Sequence, residues 1–223
     1  MKIELEEIVQ WFPPDRLILD GVNLVLKEGE QVSILGEPGS GKSLLIGILG
    51  GTLRACEGRI RIDGEEWQDK KKDRWERLRR EKYGFLLREP GFMENLNMID
   101  NVALPLLLAG ENGLTSRKKA RKQLQDLGVE NAAYRKPGQL SLYESSVMGL
   151  ARAVLHQPEI LLADSFTEHL TREEEAKVWK RLRNLPGGGK MSLIQVTGRR
   201  DSSQYTERRY FLRKGRIYED ESI

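Results

Sequence analysis

The chain has 223 residues, enough for one large domain or a core with a subdomain. Charged residues make up 32% of it, yet 37 basic against 34 acidic side chains leave a net charge of only +3, so charge gives no reason to expect nucleic acid as a partner. The single cysteine, Cys56, excludes an internal disulfide and suits a reducing compartment.

Met1 to Glu6 alternates polar and apolar like a strand and lacks the apolar centre of a signal peptide. Further short strands are expected at Leu17 to Leu19 and at Val22 to Leu26, with turns at Pro13-Pro14-Asp15 and Lys27-Glu28-Gly29. Val32, Ile34 and Leu35 form an apolar run that ends at Gly36-Glu37-Pro38-Gly39-Ser40-Gly41-Lys42-Ser43, and the apolar segment Leu44 to Leu49 follows. Glycine, four residues, then Gly-Lys-Ser between a strand and a helix is a phosphate-binding loop. Its glycines let backbone N–H groups curl around an anion, and the helix start adds partial positive charge. Gly36, Glu37, Pro38, Gly39, Ser40, Gly41, Lys42, Ser43 and Leu44 are therefore candidate ATP contacts, with Lys42 reaching the β- and γ-phosphates.

Gly58 to Ile62 reads as a strand with one wet face, residues 70–82 as a charged helix, and Thr115 to Leu127 as a helix with Ala120, Leu124 and Leu127 in its apolar stripe. The stretch between those helices, with Pro90, Gly91, Phe92 and Met93, reads as irregular. The longest apolar run, Val102 to Ala109, is broken by Pro105 and far too short to span a bilayer. A cytoplasmic protein is expected, with any membrane role supplied by a partner. From Ser141 the pattern is helix, strand Ile160 to Asp164, helix from Thr171 with Ala176, Trp179, Leu182 and Leu185 on its buried face, a turn at Pro186-Gly187-Gly188-Gly189, and strand Ser192 to Val196. Such alternation implies a parallel sheet. Asp164, at a strand end, and the Ser43 hydroxyl are the candidate Mg²⁺ ligands.

The order of these motifs resembles the ATP-binding subunit of ABC transporters, in particular the bacterial group of macrolide-exporter, lipoprotein-release and cell-division ATPases. The likeness rests on Arg77 to Phe85, on Asp100-Asn-Val-Ala-Leu-Pro-Leu-Leu-Leu-Ala-Gly110, and on Ala151-Arg-Ala-Val-Leu-His-Gln-Pro-Glu-Ile-Leu-Leu-Ala-Asp164. The resemblance implies an α/β fold: one ABC ATP-binding domain over 1–223, with a P-loop core of mostly parallel sheet, an antiparallel β-subdomain, and a helical subdomain inserted at about 87–157. It also implies two ATP-binding subunits, identical or with an intact homologue, meeting face to face beneath membrane permease subunits at the inner face of the membrane. The residues from Phe92 to Met98 would meet the permease. Phe12 falls where the family stacks an aromatic on adenine, with Trp11 one residue away.

Against that pattern the chain departs at five places. Ser165 stands where the family has its catalytic glutamate, and a serine bonding its own backbone is expected there. Gly198 stands at the switch histidine. Neither His156 nor His169 can replace it by sequence position, although His169 lies near Asp164 in the chain. Arg88 takes the place of a glutamine that senses the metal and the attacking water; its fixed charge could bind phosphate in part of the metal's role, and pairing with Glu89 at the surface is the reading expected. The signature "LSGGQ" is Leu140-Ser141-Leu142-Tyr143-Glu144, placing two side chains in a gap that glycines keep open, though Ser141 and Glu144 keep a capping box. Thr171 replaces an aspartate, again with a capping box to Glu174. The expectation is a chain that holds ATP and Mg²⁺ and cleaves ATP poorly, with no catalytic residue assigned. Alternatives are a slow ATPase with Glu168 or Glu89 as substitute base, and a soluble ATP-dependent regulatory module. No Asn-Lys-x-Asp motif argues for a GTPase.

Overall fold

The computed structural model describes residues 1–12, 15–185 and 191–220. The expected turns at Pro13-Pro14 and Pro186-Gly187-Gly188-Gly189 lie wholly or mostly outside the described residues. A long antiparallel hairpin, β1 (Ile3–Phe12) and β2 (Arg16–Leu26), opens the chain. The two short strands expected around Gly21 are one. Gly21 takes φ +67° and the register slips near it, while the Asn23 side chain donates to the Gly21 carbonyl (3.1 Å) and accepts from the Glu7 N–H (3.0 Å). A bulge thus absorbs a glycine that read as a break.

Next come β3 (Gln31–Leu35), the loop, and α1 (Lys42–Leu49). Then β4 (Glu57–Ile62) pairs with β1, and β5 (Glu65–Glu66) with β4, completing an antiparallel sheet of order β2-β1-β4-β5. After α2 (Lys72–Lys82) and β6 (Tyr83–Leu87) the chain runs irregularly to α3 (Met98–Leu108), which the sequence did not suggest because it contains Pro105. Burial of Met98, Ile99, Val102, Ala103 and Leu106 holds this helix despite the missing N–H. α4 (Gly113–Asp126) buries Ala120 and Leu124 as expected, with Leu127 buried just beyond, and α5 (Leu142–Val154) starts at the expected capping box.

The chain then returns through β7 (Ile160–Asp164), α6 (Arg172–Asn184), β8 (Ser192–Thr197), β9 (Arg208–Arg213) and β10 (Arg216–Glu219). The buried face of α6 is Glu175, Val178, Trp179 and Leu182, and Leu185 packs beside it. Ala176 is exposed, so the stripe lies one residue earlier than the apolar pattern indicated, because it includes a carboxylate. The second sheet has the order β10-β9-β3-β8-β7-β6 and is parallel except for β10. Along β7, Ile160 and Leu162 join the core shared with α1, α2 and the antiparallel sheet, while Leu161 and Ala163 join the one under α3, α5 and α6. Covering on both faces is what a parallel sheet requires. Leu35 lies opposite Thr197 and Asp164 opposite Val196, so the carboxyl ends of β3, β8 and β7 share one edge. Open parallel sheets bind ligands at that edge.

Candidate functional site

The loop from Gly36 to Ser43 leaves β3 at this edge. Gly39 has φ +78° and Gly41 φ +102°. At Gly41 the need for glycine is twofold, because a Cβ would also lie 2.7 Å from Ile18 and 2.9 Å from Leu19 of β2. The N–H groups of Gly39, Gly41, Lys42, Ser43 and Leu44 have no carbonyl partner among the described residues, α1 has no side-chain cap at its start, and the buried Ser40 hydroxyl is also unpartnered. Unclaimed donors at a helix start are what an anion requires.

Lys42 is buried, and its ammonium donates to the carbonyls of Gly36 (2.6 Å) and Glu37 (2.9 Å). Burial lowers its pKa from the ordinary lysine value, and the charges of Glu168 and then Asp164 partly oppose that shift. The Ser43 hydroxyl is exposed, and neither it nor the half-buried Asp164 carboxylate has a hydrogen-bond partner among the described residues. A hydroxyl and a carboxylate beside a phosphate cradle suit a hard divalent cation, so these residues fit Mg²⁺ with a triphosphate. Pro38, Glu37 and Gly39 are exposed along the loop. Phe12 and Trp11 sit at the end of β1, 59% and 43% exposed, opposite Arg16 and Leu17. The same hairpin reaches Gly41 through Ile18 and Leu19, which brings its tip alongside the loop.

The departures divide into those that leave a vacancy and those that rebuild. Ser165 has a left-handed backbone, φ +51°; its N–H donates to Val196 O (3.0 Å) and its carbonyl accepts from the Glu168 N–H (3.2 Å). Contrary to expectation its hydroxyl bonds nothing among the described residues, because the adjacent backbone groups are already used. Arg88, one residue past the strand end that lies opposite Asp164, is exposed and does not pair with Glu89, which is also exposed. Leu142 is 64% exposed, but Tyr143 turns inward against the core with Arg181 over its ring at 5.4 Å, so only one of the two side chains stands in the gap. Both capping boxes form, Ser141 with Glu144 and Thr171 with Glu174.

His169 is engaged by α5, its Nε2 lying 2.9 Å from the Ser146 hydroxyl. His156 donates from Nε2 to the Tyr83 carbonyl at 2.9 Å, at the start of β6. Glu168, by contrast, turns back to the sheet edge and accepts from the Gly198 N–H (2.5 Å) and the Thr197 hydroxyl (3.1 Å). A buried network unforeseen in the sequence lies beside it. Glu175, 2% exposed, accepts from the Thr167 and Ser202 hydroxyls, each at 2.6 Å, and pairs with Arg199 at 3.3 Å; Arg199 also donates to the Leu170 carbonyl at 3.0 Å. The available signal was an acid standing on the apolar stripe of α6.

A family model described as ABC transporter matches residues 19–168. The chain is 36% identical over 205 residues to the macrolide export ATP-binding/permease protein MacB of Neisseria meningitidis, covering 92% of this chain and 32% of that protein, so it spans about a third of such relatives. It is 31% identical over 201 residues to the lipoprotein-releasing system ATP-binding protein LolD of Legionella pneumophila, covering 90% of this chain and 88% of LolD. The fold superimposes on the ATP-binding cassette MJ0796 of Methanocaldococcus jannaschii, solved as a dimer in a post-hydrolysis state with ADP and Pi, with a TM-score of 0.90 at 30% identity over 98% of this chain and 97% of that one. This chain belongs to the ABC transporter family and has the α/β P-loop fold of its ATP-binding cassettes.

Proposed function

We propose that this chain is the ATP-binding subunit of an ABC-type membrane complex, that Gly36 to Leu44 with Ser43 and Asp164 hold ATP and Mg²⁺, and that it cleaves ATP poorly. The observation that carries this reading is the pairing of a complete phosphate cradle with an edge that offers only a hydroxyl at Ser165 and no side chain at Gly198. Mg²⁺ would supply charge neutralisation of the phosphates. Lys42 and the loop N–H groups bind and orient them, but nothing at 165 takes a proton from water. A positioned general base contributes about 10² to 10⁴ in rate, which sets the size of the defect.

The names of MacB and LolD support a permease partner at the inner face of a membrane, and the dimeric state of MJ0796 supports pairing with a second cassette. No helix among the described residues is long and apolar enough to cross a membrane, which suits a peripheral subunit. Exposed Met93 and Leu108, with Phe92 stacked under Arg152 at 4.8 Å, offer the permease an apolar face, whereas Met98 is core. We read 87–157 as the helical subdomain, supported by α3, α4 and α5 falling between β6 and β7. In a pair, each site uses the loop of one subunit and the signature of the other. Two copies of this chain would therefore make two impaired sites, and an intact partner would carry any fast turnover.

Titration calorimetry with ATP and Mg²⁺ tests the binding claim. Wild-type protein should bind, and Lys42→Ala should bind at least about tenfold more weakly, since it removes a charge-assisted contact to phosphate. Absence of binding by the wild type would overturn the proposal. A second reading, slow hydrolysis with Glu168 in place of the missing base, is favoured over Glu89 by the position of Glu168 at the sheet edge.

A further inference from the structure

Among the described residues, Glu168 and then Asp164 are the carboxylates whose charges oppose the lowering of the loop lysine's pKa by burial. The placement of Glu168 is fixed from both sides. The backbone N–H of Glu168 donates to Ser165 O, turning the chain back after β7, and one carboxylate oxygen is held by the Gly198 N–H (2.5 Å) and the Thr197 hydroxyl (3.1 Å) at the end of β8. Because one donor is backbone, the carboxylate cannot swing away without losing a bond to a group that does not follow it. Residue 198 lies between the carboxylate and the loop: a Cβ on Gly198 would sit in ordinary contact with both, 3.5 Å from Glu168 Oε1 and 3.6 Å from the Gly36 carbonyl. That same carbonyl accepts from the Lys42 ammonium at 2.6 Å. The carboxylate, the first glycine of the loop and the lysine therefore converge on one spot.

We infer that Glu168 places a fixed negative charge at the γ-phosphate end of the Gly36 to Ser43 cradle and shifts the site's preference from nucleoside triphosphate toward nucleoside diphosphate. The inference rests on the reading that the loop holds a nucleotide. A loop lysine meets the β- and γ-phosphates, so a charge beside it is felt most by the group that a triphosphate has and a diphosphate lacks. Two unit charges about 6 Å apart, at an effective dielectric between that of water and about 20, change a binding constant by roughly threefold to a hundredfold. Magnesium narrows the effect without reversing it, because it accompanies both nucleotides. At a given ratio of the two nucleotides in solution the site then holds more diphosphate than the cradle alone dictates.

The test is calorimetric titration of ATP and of ADP, each with Mg²⁺, into wild type, Glu168→Gln and Glu168→Asp. Gln keeps an acceptor for Gly198 and Thr197 and so preserves the turn, while Asp keeps the charge on a shorter arm. The ratio Kd(ATP)/Kd(ADP) should fall about tenfold in Glu168→Gln, mainly through tighter ATP, and should stay nearer the wild-type value in Glu168→Asp. A ratio unchanged in Glu168→Gln overturns the inference and leaves Glu168 a purely structural bond acceptor. Weaker ATP binding in Glu168→Gln also overturns it, assigning the carboxylate to the metal's coordination. If wild type binds neither nucleotide, the failure belongs to the proposed function instead.

Discussion

His156 shows how a residue that draws attention as chemistry can belong to the fold. Its Nε2–H is committed to the Tyr83 carbonyl and its Nδ1 is buried without a partner among the described residues, so a second proton would place a charge and an unmatched donor in the interior. Burial lowers its pKa below the usual 6.5, and the bond to Tyr83 offsets only part of that. The unfolded chain therefore takes up a proton that the folded chain refuses. Stability from the neutral imidazole is complete above 6.5 and is lost as the pH falls through the lowered value. Urea midpoints measured from about pH 7 to pH 5 should decline in the wild type and decline less in His156→Gln, and equal slopes would refute the assignment. Ser165 and Gly198 were legible from order alone, since each stands at a fixed offset from a motif. The setting of Glu168 was not, because it depends on a turn that brings residue 168 back to residue 198, and no spacing rule encodes a contact across 30 positions.

At the scale of elements, the sequence revealed what local periodicity controls and concealed what packing controls. The capping boxes at Ser141 and Thr171 and the stripe of α4 need only neighbours three or four residues apart. The helix across Pro105, the strand through Gly21 and the charged hairpin β9–β10 need the rest of the molecule; for that hairpin the Lys214-Gly215 turn, both at positive φ, was the missed signal. Glu175 on α6 belongs to the second kind. It joins the turn after β7, through Thr167, to the segment after β8, through Arg199 and Ser202, so it braces the two segments that border the site. Glu175→Ala should cost about 3 kcal/mol in urea denaturation, because it strands two hydroxyls and an arginine together. A loss below about 1 kcal/mol would show that water or relaxation replaces the carboxylate.

Across the whole molecule, the two sheets and the helices packed on them place the carboxyl ends of β3, β7 and β8 along one edge, and the loop, Asp164 and Glu168 all lie there. On the proposed reading this edge holds a nucleotide and does not activate water, and the departures extend to the signature, where Leu142 is exposed. Binding and cleavage would then be separable in this chain. A single substitution at residue 165 should not rejoin them, because Gly198 still offers no side chain to the edge and the left-handed backbone at residue 165 constrains a longer side chain. The most direct test is phosphate release under single-turnover conditions, with protein in excess over ATP and Mg²⁺, in wild type and Ser165→Glu, with bound ATP monitored in the same samples. The account expects bound ATP with release slower than an intact cassette by about 10² or more in both proteins. Rapid release by the wild type, abolished by Lys42→Ala, would contradict it.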